Sequence, residues 1–160
     1  MAALFTKAAA QLQRAGVGST SAHVLADSAH FSSGSTVSLW VTAPAHGIGA
    51  AGRCFYLYVD HGGHGGPFTA GRCGMPPDRV TLHRITSAAT GDIVVGTTGM
   101  LASAAVRIEA AGHSALRRVT SGYFLIPASL SSYESFNLTI LDRNNRALRV
   151  VTGAKATPGL

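Results

Sequence analysis

The stretch AAVRIEAAGHSALRRVTSGYFLIPASLSSYESFNLTILDRNNRALRVV, from Ala104 to Val151, decides the fold class. Its apolar positions come in short groups: Val106 and Ile108, then Tyr123-Phe124-Leu125, then Phe136, Leu138 and Ile140. Gly, Ser and Asn separate the groups, and Asp142-Arg143-Asn144-Asn145-Arg146 reads as a polar turn before Leu148 and Val150. A period of two sends alternate side chains to opposite faces of an extended chain. Short segments of that kind, interrupted about every ten residues by turn formers, predict antiparallel strands packed face to face.

The same pattern continues upstream. Thr36 to Ala43 (TVSLWVTA) alternates, with Val37, Leu39 and Val41 on one face and Ser38, Trp40 and Thr42 on the other. Arg53 to Asp60 (RCFYLYVD) sets Phe55, Leu57 and Val59 against Cys54, Tyr56 and Tyr58, and Arg79–Ile85 and Asp92–Thr97 supply two further strands. Between His61 and Pro77 lies HGGHGGPFTAGRCGMPP, expected as a long loop that is either functional or pinned down. Upstream, residues 1–16 read as a short helix, with apolar residues at helical spacing and Gly16 as its stop. Residues 17–35 read as a Gly/Ser/Thr linker with a weak strand from His23 to Ala26, and 153–160 as a disordered tail. The expected architecture is an all-β, two-sheet antiparallel sandwich over 36–152, immunoglobulin-like in the broad sense, with one short N-terminal helix.

Composition narrows the classes of function. Apolar residues make up 46% of the 160, and charged ones only 12%, about half the usual share of roughly 25%. Such a chain folds around a core. The formal charge is +6, and apart from Lys7 and Lys155 every base is arginine, a bias typical of bacterial genomes rich in G and C. Anionic partners are favoured by that sign. No basic run exceeds Arg117-Arg118, whereas nucleic-acid binders concentrate charge on one stripe, so specific nucleic-acid binding is not expected. There is no apolar run long enough for a membrane span, and the first residues are not expected to act as a signal peptide, because Lys7 interrupts the first apolar segment.

Four sets of residues carry candidate chemistry. Cys54 and Cys73 are the only cysteines, placed so that a disulfide would staple the glycine-rich loop to a strand. Such a bond forms in oxidising compartments, which predicts an extracytoplasmic protein whose export or anchoring segment lies outside these 160 residues; with free thiols the alternative is cytoplasmic. His61 and His64 fall between the cysteines as C-x6-H-x2-H-x8-C, a lesser, metalloprotein reading, since the spacing matches no standard zinc motif. Gly112-His113-Ser114-Ala115-Leu116 starts like a nucleophile elbow but lacks the last glycine, and the seven carboxylates sit mostly beside turns. No catalytic constellation and no cofactor are expected. Finally, Trp40, Tyr56 and Tyr58 share the face opposite the core residues of neighbouring strands. They form either an exposed aromatic binding strip or, under a covering segment, a second small core.

The segment 105–151, with its V-R-I-E strand, S-G-Y-F-L strand and L-D-R-N-N-R-A-L hairpin, resembles extracytoplasmic β-sandwich domains of actinobacteria. Those domains carry a D/S-G-[YWF]-F step followed by a D-x-x-G-R-x-L hairpin, where this chain has Asn144-Asn145. The resemblance implies an exported or tethered domain and names no catalytic residue. The functional expectation is a non-catalytic binding or interaction module on the outer side of a bacterial membrane, with a protein or envelope polymer as partner. A structural subunit of an envelope, phage or fibre assembly is the alternative.

Overall fold

A computed structural model describes residues 23–31, 34–42, 54–60, 68–73, 79–87, 90–100 and 102–158. The expected N-terminal helix, His61 and His64 lie outside them. The described residues form twelve strands: β1 His23–His30, β2 Thr36–Thr42, β3 Cys54–Asp60, β4 Phe68–Cys73, β5 Thr81–Ser87, β6 Gly91–Thr97, β7 Ala105–Ala110, β8 His113–Arg118, β9 Tyr123–Leu125, β10 Ser135–Leu141, β11 Ala147–Lys155 and β12 Thr157–Pro158. They form not two sheets but three, which we call A (order β1-β2-β3-β4), B (β12-β5-β6-β9) and C (β11-β10-β7-β8).

The side chains arrange these sheets as layers. Val37, Leu39 and Val41 of β2 and Phe55, Leu57 and Val59 of β3 pack on Ile85, Ile93, Val95, Tyr123 and Leu125 of sheet B. The opposite face of sheet B, through Leu82, Val94 and Phe124, packs on Val106, Ile108, Phe136, Leu138 and Ile140 of sheet C. Sheet B is therefore the middle layer, buried on both faces. A strand covered on both sides has no polar face to alternate with, which is why Ile93-Val94-Val95 and Tyr123–Ile126 are unbroken apolar runs in the sequence.

Sheet A is a plain antiparallel meander of consecutive strands. From β5 onward the chain shuttles between sheets B and C, so the sandwich expected from the opening stretch exists as the B/C pair, with sheet A as a third layer. Two-residue turns tighten this part. Ala111 and Gly112, at φ 47° and 83°, join β7 to β8, and Ser121 and Gly122, at 52° and 84°, return the chain into β9. Positive φ at both turn residues is the type I′ geometry, whose twist matches that of paired strands.

Three expectations are corrected at this level. The segment after His61 is not all loop, because Phe68–Cys73 pairs with β3 in unbroken register. Glycine is tolerated there for a steric reason: a Cβ on Gly71 would lie 2.4 Å from the ring of Tyr56, directly across the ladder. The tail is not disordered through Pro158. β11 continues to Lys155, and Thr157–Pro158 adds to β5 in parallel, with the Thr157 hydroxyl donating to the Leu82 carbonyl at 3.1 Å. The weak first strand extends to His30 and forms the edge of sheet A.

Candidate functional site

The aromatic strip folds into an interior. Trp40, Tyr56 and Tyr58 are exposed by only 6%, 4% and 4%, and they pack together with Cys54 against them. Pairing of β2 with β3 explains the grouping, since Trp40 faces Tyr56 directly and Ser38 faces Tyr58. Burial raises the Tyr56 phenol above its ordinary pKa, and Tyr58 is raised by burial first and by the negative charge of Asp60 second. Both stay neutral hydroxyls at physiological pH. The residues predicted as a strip are brought together, but as a second small core and not as an open platform.

Cys54 and Cys73 face each other across β3 and β4. The Cys54 N–H donates to the Thr42 hydroxyl at 2.9 Å, and that hydroxyl donates to the Cys54 carbonyl at 3.3 Å. Both backbone groups of Cys54 thus point towards β2. The Cys54–Cys73 pair is accordingly of the non-hydrogen-bonded type, in which opposed Cα atoms approach to about 4.5 Å.

Ion pairs tie the layers to one another. Arg117 on β8 pairs with Asp27 on β1, its Nε donating to Oδ2 at 3.0 Å, so sheets C and A are joined past the β9 edge of sheet B. Arg84 on β5 pairs with Asp92 on β6 and also donates to the carbonyls of Ser131, at 2.7 Å, and Tyr133. The Asp92 carboxyl is held below its ordinary pKa chiefly by the Thr86 hydroxyl, at 2.8 Å, and further by Arg84, against an opposing effect of burial. These arginines hold loops and layers in place. The histidines are dispersed: His83 stacks on Phe55, His113 stacks on Tyr133, and the His30 ring nitrogen lies 3.1 Å from the Thr36 hydroxyl. Among the described residues no three His, Cys, Asp or Glu side chains are grouped as metal ligands. The Gly112–Leu116 segment is a hairpin turn running into β8, not the strand-to-helix turn of a nucleophile elbow.

One regular surface remains open. On β7 the buried residues are Val106, Ile108 and Ala110, so Arg107 and Glu109 point outward. Across the ladders Arg107 faces Leu116 on one side and Thr139 on the other, and Thr139 faces Val150. The next row carries Ser114, Glu109 and Asn137. Leu116 and Val150 are 60% and 63% exposed. Both faces of sheet B, the inner faces of A and C, and the outer face of A over its central strands are all closed. The outer face of sheet C is open across its central strands β7 and β10, whereas on the outer face of sheet A exposure among the described residues is confined to the flanking strands, at Leu25, Ser28 and His30 of β1 and Gly71 of β4. The signal that marks the open face of sheet C was present in the alternation of Arg107 and Glu109 with buried Val106 and Ile108.

Compared with known proteins, the chain matches no family model, no curated protein and no solved structure. Among the described residues no helix is long and apolar enough to cross a membrane.

Proposed function

We propose that this protein is a non-catalytic interaction module working on the outer side of a bacterial membrane. The observation that carries the reading is the outer face of sheet C, which is open across its central strands β7 and β10 while the central strands of sheets A and B are covered. That face combines Arg107 and Arg118 with Leu116 and Val150 and holds one acid, Glu109. Arginine beside apolar side chains suits an anionic protein segment or envelope polymer better than a neutral one. In this reading each adjoining pair of sheets is immunoglobulin-like in the broad sense of one sheet face packed on another.

The cysteines support the compartment. Opposed residues of a non-hydrogen-bonded pair lie within the Cα range of about 4.4–6.8 Å that a disulfide requires, so a Cys54–Cys73 bond supports the extracytoplasmic reading. Co-sedimentation of the purified protein with isolated cell envelopes tests the module. Retention that is lost in Arg107→Glu with Val150→Lys is expected. Failure of the wild type to sediment, or equal retention of the variant, contradicts the proposal. Alkylation of native protein without reductant tests the compartment, and two reactive thiols would count against it.

A further inference from the structure

Sheet C ends in β8, and β8 is unlike the other edges whose side chains are described. The pairing of β11 with β10 is broken between Phe136 and Leu138 and again between Ile140 and Leu141, and the strand passes through Gly153 at φ 63°. β1 is broken between Leu25 and Asp27, with Asp27 engaged by Arg117. β5 is met by β12, and β9 has three residues. Bulges, short length and covering strands are the devices by which proteins keep edges from pairing. Among the described residues β8 has no bulge, is twice the length of β9 and is covered by no further strand, and its one inward-pointing charge, Arg117, is neutralised by Asp27 of its own chain. Its six pairs with β7 are in unbroken register, it contains neither proline nor lysine, and Leu116 stands 60% exposed on it.

We infer that β8 is a homodimer interface: a second copy of the chain adds its own β8 antiparallel across a two-fold axis, joining two copies of sheet C into one continuous sheet. The inference concerns β8 and its neighbour β7 and does not rest on the compartment or on the partner proposed above. Opposed residues share a face, so the outward residues Ser114, Leu116 and Arg118 must meet one another. With Leu116 on the axis, it packs against Leu116 of the second copy, and Arg118 lies opposite Ser114 of the second copy. Sliding by two residues one way sets Arg117 against Arg117 of the second copy, which like charges oppose. Sliding the other way sets Leu116 against Ser114 and removes the apolar contact.

The favoured register is also complementary in charge. Glu109 already faces Ser114 within each copy, so the outer-face row becomes Arg118, then Ser114 and Glu109 of the second copy. Strands lie about 4.8 Å apart. An arginine side chain can pass over the short serine to reach the carboxylate, and the two-fold axis repeats the pair. The surface, the apolar contact and the charge match thus select the same partner.

Light scattering on size-fractionated protein over a concentration series is the test. The expected result is a mass moving from 16.4 kDa towards twice that value as concentration rises. Leu116→Lys should hold the protein at the monomer mass. Glu109→Arg and Arg118→Glu should each weaken the dimer by about tenfold, and the two together should restore it, which mere damage to the fold would not do. A monomer at all concentrations up to about 1 mM, where pairing is worth only about 4 kcal/mol, overturns the inference. So does a dimer that survives all three single replacements.

Discussion

Phe124 occupies a place that only glycine can leave open. Across β6 and β9 it faces Gly96, where a Cβ would sit 2.0 Å from its ring. Nothing in that contact can yield cheaply, because the ring is fully buried between sheets B and C. Gly96→Ala is therefore expected to destabilise the protein by about 3 kcal/mol in urea denaturation. In a Phe124→Leu background the further cost of the alanine should fall well below that, as the smaller side chain vacates the space. Ala111 presents the reverse case. At φ 47° it holds a left-handed conformation that alanine resists and asparagine accepts, with Gly112 already suited to the next position. Ala111→Asn should stabilise by about 0.5–1 kcal/mol in the same measurement. Asn145, at φ 59°, is the residue type that tolerates such a turn.

At the scale of elements, the strands were legible where one face is polar. Val37, Leu39 and Val41 with Phe55, Leu57 and Val59 were expected to face the core, and they do. The third layer was not legible, because period-two patterning shows that a face is buried and not which sheet buries it. The aromatic residues of β2 and β3 illustrate this: their spacing showed that they share a face, and nothing local to them distinguishes an open strip from a covered one. β4 was obscured by the glycines that flank it and by Gly71 within it, whose tolerance depends on a ring contributed by another strand. β12 is too short to leave any periodic signal.

The clamp around Arg84 belongs to this scale as well. It joins β5, β6 and the chain leading into β10, and Arg84→Met should cost about 2 kcal/mol because two carbonyls and a carboxylate lose their donor. Asp92 has a folded-state pKa below its unfolded one, so its contribution is present above the unfolded value, about 3.9, and is lost as pH falls through the folded value. Asp92→Asn is expected to flatten the acid limb of the stability profile by lowering the neutral plateau while leaving the stability below the folded pKa little changed. Tyr56 and Tyr58 act at the other end. Their raised pKa values mean that stability is intact below the ordinary value of 10.0 and declines as pH rises through the folded values. Replacing both with phenylalanine should remove that alkaline decline, as read from denaturation midpoints.

For the whole molecule, the order of layers sets which surface is covered. A middle sheet buried on both faces and an outer aromatic core concentrate the apolar surface inside, and the outer face of sheet C is open across its central strands. The half of the chain that fixes the architecture also carries that face, so scaffold and surface are two sides of the same strands. Hydroxyl-radical footprinting read by mass spectrometry tests this arrangement most directly, because it reports side-chain exposure residue by residue. With the protein dilute enough to be monomeric, Trp40, Tyr56, Tyr58 and Phe124 should be protected despite their high intrinsic reactivity, while Leu116 and Val150 are modified. Modification of Trp40, Tyr56 and Tyr58 at the rates of the unfolded chain, or protection of Leu116 and Val150, would contradict it.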